Sequence, residues 1–215
     1  MPCNCRHGTG SHDHLRDGFV QEGVFGIGSP LNHQVDLSFL QLWNARHSAS
    51  EAARLFDPKM EDNQEAICSD ADPELLFLLP LKQVCRVRGI SILGTNDDFS
   101  PSQVKLFCNP TDVVGFDSVR RLQPQEEIQL AQVPEGDRIV YRLNTAKFSN
   151  CSTLGLFFEQ CFGEDETHLL RIDLFGEATG RSVHQELATN IVYEAQANPA
   201  DHKVADEQLK SFTVL

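Results

Sequence analysis

From Leu75 onward the chain is a succession of short apolar runs without helical period, separated by Gly, Pro, Asn and Asp. Segments of this kind satisfy their backbone groups by pairing with one another, which is the pattern of a β-sandwich or barrel. The runs predict strands at about residues 75–80, 84–93, 103–107, 128–131, 139–143, 153–161 and 168–175. Strand side chains repeat every second residue, so Ile139, Tyr141 and Leu143 share one face, as do Leu154, Leu156 and Phe158. The turn-rich string Gly163-Glu164-Asp165-Glu166-Thr167 predicts an antiparallel hairpin between the last two of these strands. A further short strand around Ile191 to Tyr193 brings the count to eight, the number a jelly roll uses. The fold class expected is all-β, a jelly-roll β-sandwich.

The first third of the chain reads differently. Residues 1–34 are polar and rich in Gly and His, so a mobile tail is expected through at least residue 17, with order beginning near Val35. Apolar side chains at 35, 39, 40, 42 and 43 behind a possible Asp36 cap predict a short N-terminal amphipathic helix. Residues 45–66, with Pro58, read as a polar linker. From Glu61 to Leu81 six acidic side chains (61, 62, 65, 70, 72 and 74) occur without one Lys or Arg, an acidic loop feeding the first long strand.

Charge narrows the partners. Eighteen Lys and Arg against 31 Asp and Glu leave a net charge of −13, whereas nucleic-acid binding draws on a basic face that releases phosphate counterions. Nucleic acid and anionic membrane are therefore not expected partners. No apolar stretch approaches the roughly 18 residues a spanning helix needs, and the first residues hold no apolar signal core. A cytoplasmic and nuclear protein is expected. Seven cysteines, an odd number without repeated spacing, suit reduced thiols better than a disulfide framework.

Four blocks carry a family resemblance. They are Ser69-Asp70-Ala71-Asp72-Pro73-Glu74-Leu75-Leu76; Arg88-Gly89-Ile90-Ser91-Ile92-Leu93-Gly94 with Pro101 to Asn109 downstream; Lys147-Phe148-Ser149-Asn150; and Val192-Tyr193-Glu194-Ala195 through Asn198-Pro199-Ala200-Asp201-His202-Lys203. Their order resembles the PITH domain, the module at the C-terminus of a proteasome-associated thioredoxin-like protein and alone in PITH-domain-containing proteins. Asp36, Leu42 and Asn44 resemble the family's opening. The resemblance spans about residues 17–208, leaving 1–16 as a Cys/His-containing tail and 209–215 as a C-terminal tail. It implies a galactose-binding-like jelly roll, in agreement with the strand pattern. It also implies a protein partner, with the 26S proteasome as the candidate. No Cys-x-x-Cys occurs, so thioredoxin activity does not carry over.

Catalytic constellations are scarce. Neither a Gly-x-Ser-x-Gly elbow nor a phosphate-cradling Gly-x-x-x-x-Gly-Lys-Ser/Thr loop is present. Asp201 beside His202 has the makings of an acid–base pair, but adjacent loop residues rarely aim at one substrate, and a structural role is the expectation. Cys3, Cys5, His7, His12 and His14 place five zinc or copper donors within twelve residues. The Cys-x-Cys spacing is tighter than a zinc knuckle's, so incidental affinity, not a resident cofactor, is expected. Asp70, Asp72 and Glu74 lack the glycine and terminal glutamate of a calcium loop. The expectation is a monomeric, non-enzymatic interaction module offering Asp70, Asp72, Glu74, Asp97, Asp98, Asp201 and His202 to its partner. The alternatives are a small-ligand or carbohydrate-binding jelly roll and a nuclear or cytoplasmic signalling regulator.

Overall fold

Strand β4, Leu75–Gly94, organises the molecule because it is long enough to serve two layers. The computed structural model describes residues 26–57, 65–134 and 137–183. Around β4 lie β1 (Ser29–Pro30), β2 (Gln41–Trp43), β3 (Ile67–Cys68), β5 (Gln103–Cys108), β6 (Glu126–Gln129), β7 (Val140–Arg142), β8 (Cys151–Phe158) and β9 (His168–Ser182). Every pairing between them is antiparallel. The first half of β4 pairs with β2 and β8, and the order continues through β5 to β6. Its second half pairs with β7 and β9, whose other edge takes β1 and β3.

The two strands predicted at 75–80 and 84–93 are thus one. Pro80 has no N–H to give a ladder, and the β4–β8 register shifts between Pro80 and Cys85. The chain bends there and continues into the second layer. The expected hairpin at residues 163–167 is also corrected: β8 and β9 do not pair but flank opposite halves of β4. Turn composition marks the reversal of the chain but not which strand will be the neighbour.

The alternating pattern holds where it was clearest. Leu154, Leu156 and Phe158 lie fully buried in the main core with Leu75, Phe77 and Leu79. Phe77 meets Phe56 and Phe158 edge-on, at centroid distances of 6.5 and 6.1 Å. The opposite face of β8 is covered as well. Phe157 joins Leu76, Phe107 and Val119 in a second cluster, capped by the segment that carries helix α2 (Phe116–Val119).

The N-terminal helix is not formed. Asp36 caps as expected, accepting from Ser38 N at 3.3 Å, but only a 3-10 turn follows, Leu37–Phe39. Residues Gln41–Trp43 then pair with Leu76–Leu78 as β2. The spacing of Leu40, Leu42 and Trp43 suits that outcome, because Leu40 and Leu42 pack on the main core and Trp43 on the second cluster. Sheet pairing overrode a weak helical period. The predicted linker is corrected too. Ser48 and Glu51 form a capping box that starts α1 (Ala49–Ala52), and a 3-10 turn, Ala53–Phe56, buries Leu55 and Phe56.

Order also begins before Val35. Ile27 and Leu31 are buried, and Asn32 is bound inside the fold. Its amide donates to the carbonyls of Phe56 (3.0 Å) and Ile172 (2.9 Å) and to Asp173 (3.2 Å), and its oxygen accepts from Leu174 N (2.8 Å). Asp173 in turn pairs with Arg138 (3.1 Å) and Arg171 (3.0 Å). Burial pushes the Asp173 carboxyl above its usual range, and the two arginines and Asn32 offset part of that rise. The crossing of β1 and β9 needs glycine. A Cβ on Gly28 (φ +102°) would lie 2.5 Å from the Gly176 carbonyl oxygen. The strand expected at Ile191–Tyr193 lies outside the described residues.

Candidate functional site

Because β4 bends through both layers, its two ends return to the same end of the sandwich. Three loops meet there: 69–74 entering β4, 95–102 leaving it, and 159–167 between β8 and β9. Thr167 is buried between them. It donates its N–H to Ser69 Oγ (2.9 Å) and its hydroxyl to the Pro73 carbonyl (2.6 Å), and its own carbonyl accepts from Ser69 N (3.0 Å). Loop 95–102 joins through Gly163 N to the Asp98 carbonyl (3.0 Å), Phe162 N to the Ser100 carbonyl (3.1 Å) and His168 N to the Phe99 carbonyl (2.9 Å). The Phe99 ring stacks on the His168 imidazole with centroids 4.4 Å apart and planes 6° from parallel.

Asn44 holds the first loop. It sits at φ +60°, a conformation that Asn tolerates better than most residues. Its amide nitrogen donates to the Asp72 carboxylate and the Glu74 carbonyl, both at 2.7 Å, and its oxygen accepts from Ala71 N at 3.2 Å. Asp72 also accepts from Glu74 N at 3.0 Å, an Asx turn that Pro73 suits.

This arrangement sorts the acidic residues by what their carboxylates do. Asp72 is engaged by Asn44 and backbone, Glu74 binds Arg120, and Asp97 accepts from Thr95 (2.6 Å) and Phe99 N (3.1 Å). The bond to Glu74 raises the Arg120 pKa further. Those three hold the loops. Asp70 and Asp98 project: Asp70 is exposed and only 3.8 Å from Arg46, and Asp98 contributes its backbone alone to the loop contacts above. Glu164 and Asp165 are exposed beside them, and Glu166 is bridged by Arg46. Phe162, in the same loop as Glu164 and Asp165, is 41% exposed. Sequence reasoning did not select residues 162–166 as a site, though their turn composition and three consecutive acids were visible.

Other candidates fall elsewhere. Phe148 is fully buried in the main core. Asp201, His202, Tyr193 and the metal-donor set Cys3, Cys5, His7, His12 and His14 lie outside the described residues. Among the described residues no group of three His, Cys, Asp or Glu side chains is arranged to hold a metal ion, and no helix is long and apolar enough to cross a membrane.

The chain superposes on CpGH89CBM32-5 from Clostridium perfringens, a structure in complex with GalNAc-beta-1,3-galactose, with a TM-score of 0.50 over 69% of this chain and all of that one. At 10% identity the likeness concerns the fold, a galactose-binding-like jelly roll. The PITH domain model matches residues 22–197, and the chain belongs to that family. Curated relatives include the PITH domain-containing protein CG6153 of Drosophila melanogaster, 35% identical with 94% of each chain covered. PITH domain-containing protein 1 of Homo sapiens is likewise 35% identical, with 83% of each chain covered. Neither the family nor the fold is defined by an enzymatic activity.

Proposed function

We propose that this chain is a non-enzymatic protein-interaction module that docks through the acidic end of its sandwich, and that its partner is the 26S proteasome in the cytoplasm and nucleus. The observation that carries the docking surface is the division of labour among the acids. Asp72, Glu74 and Asp97 fix loops 69–74 and 95–102, and Thr167 ties loop 159–167 to them, so that Asp70, Asp98, Glu164 and Asp165 are exposed on a pre-organised support that also carries the exposed Phe162. Pre-organisation lowers the entropy lost on binding, and an aromatic ring together with exposed charge is the composition of a protein interface. The net charge of −13 adds long-range steering toward a basic patch. The proteasome as partner rests on the family resemblance.

The carbohydrate reading has less support from the aromatic residues. Sugars stack on exposed rings; Trp43 packs into the second cluster and Tyr141 packs on the main core while its hydroxyl accepts from Ala131 N at 2.9 Å, which leaves the exposed rings of Phe39 and Phe162 for that role. Affinity isolation from lysate tests the proposal. Wild-type protein should recover proteasome subunits at low salt and fewer at moderate salt, and an Asp70→Asn/Asp98→Asn variant should recover fewer at both. Recovery of a different complex would reassign the partner, and equal recovery by the variant would remove the acidic end from the interface.

A further inference from the structure

A cleft of about 430 Å³, lined by none of the acidic-loop residues, opens where the 3-10 turns Asn32–Gln34 and Leu37–Phe39 face the 49–57 segment and the β4 bend at Lys82. That volume lies within the range of small-molecule sites. Its apolar lining includes Val35, Leu37, Ala53 and Phe56, with Leu37 38% exposed.

Two cations share this lining. Arg54 is only 18% exposed along its side chain; it donates to the Ala66 carbonyl at 3.2 Å and lies 3.9 Å from Glu65. Its Nε is buried without a hydrogen-bond partner among the described residues. Lys82 donates to the His33 carbonyl at 3.0 Å and has no acidic partner among the described residues. Asp57 lines the cleft as well but is already engaged. An ammonium has three donors, and Lys82 uses one of them here. On a chain of net charge −13, Lys82 adjoins this surface without an acidic partner among the described residues.

We infer that this cleft binds a small organic anion, a carboxylate or phosphate head carried on an apolar stem. Lys82 holds the head with Arg54 beside it, and Leu37 and Ala53, the lining apolar side chains that keep exposed surface, receive the stem. The charged groups supply orientation and the walls supply the area removed from water. Such a ligand would tie the N-terminal turns to the 49–57 segment and to β4, so binding should stabilise the fold by mass action. The cleft shares no residue with the acidic end, and its occupancy stands or falls independently of partner docking.

The test uses the full chain at low salt, titrated with phenyl phosphate, phenylacetate, benzyl alcohol and inorganic phosphate, followed by thermal denaturation and by amide chemical shifts. At least one aromatic anion should raise Tm with concentration and bind more tightly than benzyl alcohol or inorganic phosphate; the tighter of the two names the head group. Lys82→Gln, at an exposed position, should weaken that binding about tenfold, the scale of one charge-assisted hydrogen bond. Shift changes should centre on Leu37, Ala53, Arg54 and Phe56. The inference is overturned if neither anion outbinds benzyl alcohol, if Lys82→Gln binds like wild type, or if the shift changes fall elsewhere.

Discussion

The two ends of the sandwich use the same backbone device for different purposes. At the acidic end Asn44, at φ +60°, grips loop 69–74 through its side-chain amide. At the other end Asn109, at φ +51°, grips residues 150–153. Its oxygen accepts from Ser152 N (2.7 Å), Ser152 Oγ (3.0 Å) and Thr153 N (3.0 Å), and its nitrogen donates to the Asn150 carbonyl (2.7 Å). The Asn109 clamp secures the start of β8, where Cys85 and Cys151 face each other in the ladder and burial pushes the Cys85 thiol up to about 11. The Asn44 clamp secures a loop whose one remaining carboxylate, Asp70, is exposed beside Arg46. An asparagine clamp is therefore a means of fixing backbone, and what it fixes decides whether the result is a core strand or an exposed loop.

Breaking each clamp should separate these roles. Asn109→Ala has the larger expected effect, about 2–3 kcal/mol of stability by denaturant unfolding, because it orphans groups at a strand start and leaves alanine at positive φ. Partner capture per folded molecule should not change. Asn44→Ala should cost about 1–2 kcal/mol but lower partner affinity by about tenfold, since it unfixes the presenting loop. Glycine in place of alanine should recover part of the loss at both sites, because only the backbone share of the cost is relieved. Comparable binding losses from both clamps, after correction for folded fraction, would erase the distinction.

Within the acidic end the contrast is finer. Asp72→Ala removes the Asx-turn acceptor and should lower stability by about 1 kcal/mol, whereas Asp70→Asn should stay within about 0.5 kcal/mol of wild type. Differential scanning calorimetry on the pair is sufficient to check this.

A still smaller effect contrasts exposed with buried carboxylates. Burial raises the Asp173 pKa in the folded state above its ordinary value of 3.8, so the folded protein takes up this proton before the unfolded chain does. Its contribution therefore favours folding increasingly as pH falls from the folded pKa toward 3.8. Wild type should gain stability relative to Asp173→Asn across that window. Urea titrations at descending pH should show the gap moving in that direction, and the opposite trend would contradict the burial account.

Much of this molecule can be read from its sequence, and the misreadings have physical causes. Short apolar runs located β5, β8 and the start of β9, with alternation supporting β8, because their inward positions pack on one continuous core. It failed for Val35–Asn44, where five apolar residues fit a helical face and a strand pair about equally, and the open edge of β4 at Leu76–Leu78 decided between them. The Ser48-x-x-Glu51 capping box was legible and passed over because the surrounding residues are polar. The acidic residues of the site were visible as composition. Their separation into Asp72, Glu74 and Asp97, which hold loops, and Asp70 and Asp98, which project, depends on partners distant in sequence: Asn44 is 28 residues from Asp72, and Arg120 is 46 from Glu74. No local pattern encodes such pairings.

The claim that the acidic end is the docking surface is tested most directly by the salt dependence of partner affinity in two charge-matched variants. Asp70→Asn/Asp98→Asn removes two projecting carboxylates from the loops, while Glu127→Gln/Glu177→Gln removes two from β6 and β9. If docking is at the acidic end, the loop variant binds more weakly and with a shallower salt dependence than wild type, and the strand variant retains most of the wild-type affinity. Equal losses in both variants would reduce the effect to net charge alone, and a loss confined to the strand variant would place the partner on a different face of the sandwich.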